Sequence, residues 1–202
     1  MSILEDKEWT NLWWDDAENH SLPRIYLVGD SITFGYHDKV IDELGQEARI
    51  TMMSTSKSVD NPYFIKEMDH VFYQNEYKYD LVHFNNGLHG WHMDDGVFES
   101  SYEKTLNHIL EKYNTKTALV LCTPTSLCND ILVIDEERVK VIRRRNAIIQ
   151  KLADKYHLAV DDLFTPMYSH PEYHVPDGVH FTPEAQKVQA KIVADFIRDQ
   201  IF

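Results

Sequence analysis

A serine hydroxyl is a weak nucleophile at neutral pH and attacks a carbonyl only with a base within reach. The sequence supplies both, far apart in the chain. Gly29-Asp30-Ser31-Ile32 follows an apolar run at 24–28. Gly29 permits a tight turn, so Ser31 would stand at the start of a helix. Backbone N–H groups and the helix dipole favour negative charge there. Read alone, the block also suits a serine N-cap, and it is not the Gly-x-Ser-x-Gly elbow of α/β-hydrolases. Near the other end stands Asp177-Gly178-Val179-His180. An imidazole can take a serine proton, and a carboxylate three residues earlier can hold its ring and tautomer. Read alone, it could equally be a loop Asp beside a helix-preceding His. A third segment, Asn85-Asn86-Gly87-Leu88-His89-Gly90-Trp91-His92, follows another apolar run. His89 and Trp91 are candidates to line a substrate pocket, since pockets are commonly lined by aromatic side chains.

These residues need a frame that brings them together. Apolar runs at 24–28, 48–53, 80–84, 117–122 and 158–163 read as strands covered on both faces. Between them, positions 97–113, 135–156 and 185–197 carry apolar residues at spacings of three and four, the period of a helix. Thr182 is a fitting N-cap for the last one, with Pro183 at its first position and Glu184 favoured by the dipole. Strands alternating with helices imply right-handed βαβ units. The expected fold is α/β, a three-layer α/β/α sandwich on a parallel sheet of about five strands. Sites in such sheets lie at the carboxyl ends of the strands, where the loops holding Ser31 and Asn85 would be.

Taken together, the Gly29–Ile32 and Asp177–His180 blocks resemble those of the SGNH hydrolases, the GDSL-type esterases and lipases. The resemblance covers residues 22–202. It implies Ser31 as nucleophile, His180 as base and Asp177 as its orienting acid, with no cofactor. The family's Gly-x-Asn-Asp block is altered here. Matching its Asn-Asp-Gly to Asn85-Asn86-Gly87 makes Asn85 the oxyanion donor, alongside the Ser31 N–H, with Asn86 the other register. The asparagine loop is similar to that of a carbohydrate-esterase-like branch. The family's glycine after the second strand, whose N–H also faces the oxyanion, has no counterpart in Ser54-Thr55-Ser56-Lys57-Ser58-Val59-Asp60-Asn61. Asp60 or Ser58 would have to stand in. The implied activity is hydrolysis of a short-chain ester, acetyl above others, on a small molecule or oligosaccharide. Lysophospholipase, thioesterase and acyltransferase activities of the same fold are alternatives, as is a noncatalytic carbohydrate-binding module.

Composition narrows the partners. The chain has 202 residues, 20 Lys+Arg and 33 Asp+Glu, a formal charge of −13. That surface repels phosphate backbones and anionic lipid heads, so nucleic acid is not an expected partner. No run reaches the ~20 apolar residues of a spanning helix, and no signal peptide is evident, so a cytoplasmic protein is expected, with a trimmed secreted form as the alternative. A homo-oligomer is open. The expected organisation is an acidic lead segment at 1–21 and one domain at 22–202. Trp13 and Trp14 in that lead should pack against the domain or a neighbouring subunit. Cys122 and Cys128 read as two free thiols. His89 and His92, or His170, His174 and His180, do not form a known metal motif, and no metal is expected. Arg143, Arg144 and Arg145 read as a solvated helix face.

Overall fold

In the computed structural model, which describes residues 4–74, 77–113 and 117–202, the apolar runs pair side by side. Strands β2 (Arg24–Gly29), β3 (Arg49–Thr55), β4 (Leu81–Phe84), β5 (Ala118–Cys122) and β6 (Ala159–Asp161) run parallel. An additional strand, β1 (Thr10–Trp14), lies antiparallel outside β3, giving the order β1-β3-β2-β4-β5-β6. The expected parallel strands are therefore all present, and the lead segment contributes an edge strand to their sheet. Its residues alternate half-buried and exposed, as an edge strand with one open face must.

Among the described residues, six α-helices flank the sheet: α1 (Ser31–Leu44), α2 (Phe64–Phe72), α3 (Asp95–Lys112), α4 (Glu136–Tyr156), α5 (Phe164–Tyr168) and α6 (Pro183–Ile201). Strand β2 shows how the two faces separate. Ile25 and Leu27 pack with Ile32, Tyr36 and Val40 of α1 and Ala190, Val193 and Ile197 of α6. Tyr26 and Val28 point the other way, into Phe64 and Met68 of α2, Tyr102 of α3 and Ile149 of α4. Such period-two alternation between two apolar layers fixes register, because a one-residue slip would swap every side chain between cores.

The chain leaves β2 through α1 to β3, then returns through α2 on the opposite face to β4. The strand order thus reverses between β2 and β4. A crevice opens at their carboxyl ends, the usual ligand position in open α/β sheets. Ser31 follows β2 and Asn85 follows β4, so both flank that crevice.

Candidate active site

The turn after β2 is tight because Gly29 lacks a Cβ, which would otherwise run into Thr33 Oγ1 and crowd the Asn85 carbonyl. Asp30 caps α1, its carboxylate accepting from Ile32 N at 2.9 Å. Burial raises the Asp30 carboxyl above its usual value, partly offset by nearby His89 and His180. That cap starts the helix at Ser31. Across from it, the segment before α6 is folded around Asp177. One carboxylate oxygen accepts from the backbone N–H of Val179 at 2.8 Å and of His180 at 2.9 Å. Gly178, directly after Asp177, has φ +69°, and a Cβ there would strike the Cys128 carbonyl. The Gly178 carbonyl in turn accepts from Cys128 N at 2.7 Å, tying this loop to the one after β5.

These two loops bring the three separated residues into line. Asp177 Oδ2 lies 2.7 Å from His180 Nδ1, and His180 Nε2 lies 2.8 Å from Ser31 Oγ. A carboxylate can only accept, so Nδ1 carries the proton and Nε2 accepts from the serine hydroxyl. Burial pushes the Asp177 carboxyl up, but the His180 ring and the two backbone donors outweigh it and hold it below its usual 3.8. The His180 and Asp177 side chains are 46% and 49% exposed, so the trio sits at an open rim. The cavity beside it, lined by Ser31, Ile32, His180, Phe181 and Gln189, has about 10 Å³, room for about one water. A larger hollow of about 420 Å³, bordered by Ile65, Ser100 and His108, involves α2 and α3 on the other side of the sheet.

Asn85 and Asn86 are both buried in the loop after β4. The Asn86 amide donates to the Lys57 carbonyl at 3.0 Å, which stitches this loop to the one after β3. Among the described residues, Asn85 Nδ2 meets only the Cys122 thiol, at 3.5 Å, a weak acceptor. The loop is gripped from behind by Arg145. Its guanidinium donates to the carbonyls of Gly87, His89 and Gly90 at 2.7–2.8 Å. Arg145 is 1% exposed. Burial lowers it to about 10, which leaves it cationic at neutral pH. The expectation of a solvated arginine face is therefore corrected at this position. Arg144 does face solvent and pairs with Asp95, while Arg143 lies over Phe164 and Tyr168. Three consecutive arginines on a helix point about 100° apart, so they cannot share one face. Arg145 turns inward because three loop carbonyls await it.

The missing glycine after β3 also finds an explanation. Residues 54–62 contain no positive φ, so no glycine is required to trace that loop. Ser58 Oγ donates to Asp60 at 2.5 Å, and the other Asp60 oxygen faces His92 Nε2 at 2.6 Å. Asp60 thus braces the loop with its side chain.

His89 pairs with Glu5 at 2.8 Å and meets the Trp9 ring edge-on at 6.4 Å. Trp91 is 46% exposed, with the Arg145 guanidinium 5.3 Å from its ring centre. The segment before β1 lies across these loops. Glu8 contacts Lys57 at 3.6 Å and Asn61 at 3.0 Å, and Trp9 N donates to Ser56 Oγ at 3.0 Å. Sequence reasoning missed this wall, since nothing in an acidic lead signals which strand it will join. Trp14 packs on the core and Trp13 turns outward. Both cysteines are free and buried, and burial pushes both thiols up. Among the described residues, His83, Cys122 and Asp161 form the group whose ligand atoms converge within 4.8 Å. His83 Nε2 and Asp161 Oδ2 are already joined at 2.9 Å, so the pair ties β4 to β6 beneath Asn85. His170 pairs with Glu172, and His174 packs against Cys128 and the Ser126 carbonyl.

No family model matches the chain, and no curated protein does. Solved structures do. An acetyl xylan esterase, AlAXEase, superposes with a TM-score of 0.70 at 20% identity, over 86% of this chain and 99% of that one. A candidate SGNH hydrolase from Slackia heliotrinireducens gives 0.66 at 17% identity, over 88% and 100%. The chain has the SGNH-hydrolase fold. A carbohydrate acetylesterase family member from Sinorhizobium meliloti shares that fold, with a TM-score of 0.66 at 15% identity, over 89% and 99%. The SGNH-type sheet places Ser31 at the carboxyl end of β2 and His180 just before the last helix. Among the described residues no helix is long and apolar enough to cross a membrane.

Proposed function

We propose that the protein is a serine esterase acting on short-chain esters, acetyl above others, carried on a carbohydrate. The observation that carries the reading is the hydrogen-bonded line from Ser31 through His180 to Asp177. Ser31 Oγ attacks the ester carbonyl while its proton passes to His180 Nε2. Asp177 holds the ring and steadies the imidazolium. Negative charge on the carbonyl oxygen meets the Ser31 N–H at the start of α1 and the Asn85 amide. The tetrahedral intermediate collapses, and the alcohol leaves with the proton from His180. Water, giving its proton to the same nitrogen, then attacks the acyl-serine. The carboxylic acid departs and Ser31 regains its proton.

One observation favours an ester carried on a larger alcohol. The half-exposed His180 and Asp177 leave the leaving-group side open to a bulky substrate. Fold neighbours described as an acetyl xylan esterase and a carbohydrate acetylesterase family member agree with that choice.

The test is a p-nitrophenyl ester series from acetyl to octanoyl. The wild type should prefer acetyl, and Ser31→Ala should lose kcat by up to ~10⁶, as removal of the nucleophile does in a serine hydrolase. Equal rates for wild type and Ser31→Ala would overturn the mechanism. A wild type inert on every ester, yet binding sugars, would favour the noncatalytic module.

A further inference from the structure

Exposed aromatic rings gather on one flank of the crevice and take no part in the chemistry above. Phe34 lies one turn after Ser31 on α1, and residues three apart on a helix sit about 5–6 Å from each other. Its ring stacks on His37, with centroids 5.4 Å apart and planes at 26°. His37 meets Trp13 of β1 edge-on at 5.7 Å. Phe34 and Trp13 are 46% and 52% exposed. Contiguous exposed apolar patches, rather than scattered single rings, mark interaction sites, and these rings touch one another.

The polar groups around these rings are ordered as well. His37 Nδ1 lies 2.7 Å from the Phe34 carbonyl. A carbonyl only accepts, so Nδ1 carries the proton in the neutral ring and Nε2 becomes an acceptor. Among the described residues no hydrogen bond to that nitrogen is present. Asn11, two residues before Trp13, is exposed on the same side of β1. It lies opposite Ser54, which in turn lies beside Gly29, so its amide stands level with the turn that carries Ser31.

We infer that Trp13, Phe34 and His37, with Asn11, form a subsite for a neutral pyranose ring adjoining the one that carries the ester. This rests on the esterase reading of Ser31. The chemistry selects a sugar over the other occupants. A pyranose has an apolar face of C–H groups that suits the negative face of an aromatic ring, and an edge of hydroxyls for a fixed acceptor and an amide. An acyl chain needs an enclosed apolar groove, whereas these rings lie open with charged Asp38 and Lys39 following on α1. The net charge of −13 favours a neutral chain over an anionic one.

The test uses the full chain with Ser31→Ala, so that bound esters are not consumed. Calorimetry is run against a panel of neutral, partially O-acetylated xylo-, manno- and cello-oligosaccharides. At least one should bind, and adding Trp13→Ala with Phe34→Ala should weaken it about tenfold or more, the scale of two lost ring contacts. Trp13→Phe should keep most of the affinity, which separates stacking from loss of fold. In the catalytic background, the same pair of substitutions should raise KM for that oligosaccharide and leave p-nitrophenyl acetate turnover unchanged. No binding by any panel member, or affinity unchanged by the double substitution, overturns the subsite. So does a dimer in solution that the double substitution turns into monomers, because the rings would then be an interface between copies. Failure of the esterase reading looks different: p-nitrophenyl acetate turnover would survive Ser31→Ala whatever the sugars do.

Discussion

Asn85 and Asn86 differ by one position and have different partners. The Asn86 amide is committed to the Lys57 carbonyl, whereas the Asn85 amide has only a thiol beside it and can turn to a stronger acceptor. An oxyanion is such an acceptor, present only during reaction. Asn85→Ala should therefore lower kcat by ~10²–10³ with little change in KM, as loss of one preorganised donor does. Asn86→Ala should cost less in kcat and more in thermal stability. Steady-state kinetics with p-nitrophenyl acetate and a melting curve decide it, and the reverse ranking would exchange the two roles. The sequence alone could not choose between them. Adjacent amides look identical until the neighbouring carbonyls are known, and Lys57 lies 29 residues away. The meeting of Ser31, Asp177 and His180 was legible because each sits in a short block whose local turn is set by Gly29, Asp30 and Gly178.

At the level of elements, the site is assembled from loops held by groups that take no direct part. Arg145 on α4 is the strongest of these, giving three hydrogen bonds to the carbonyls of the loop after β4. Charge-assisted bonds to a buried group contribute on the order of 1.5–3 kcal/mol each, and they are not additive. Arg145→Lys keeps the charge but not the planar fork. It should lower the melting temperature and cut kcat for p-nitrophenyl acetate more than tenfold where circular dichroism still reports a folded chain. An unchanged kcat would mean the loop keeps its shape unaided. Elements with continuous apolar runs were legible, and so was α6 with its Thr182 cap. Strand β1 was not, because an edge strand buries too little to show a clear pattern. Helix α2 was not, because its nine residues span only about two and a half turns. The inward turn of Arg145 was hidden for another reason, since its partners are carbonyls, which every residue has.

At the level of the whole molecule, the described residues towards the two ends stand in different places relative to the crevice. Helix α6 starts beside His180 and runs for 19 residues, about 28 Å, away from the carboxyl ends of the strands. Strand β1 runs the opposite way to β3, so the residues before it come out over those same ends. There Glu5 pairs with His89, and Glu8 with Lys57. A purification handle or fusion partner on the leading side is tethered to residues that lie against the crevice loops, Glu5 and Glu8, whereas one after Phe202 is tethered at the far pole. The two fusions should turn over p-nitrophenyl acetate alike, but the leading one should slow on acetylated oligosaccharides. Comparing both fusions on both substrates measures that difference. Assays of this protein on long-chain substrates, or its immobilisation on a solid support, therefore call for attachment through the trailing end.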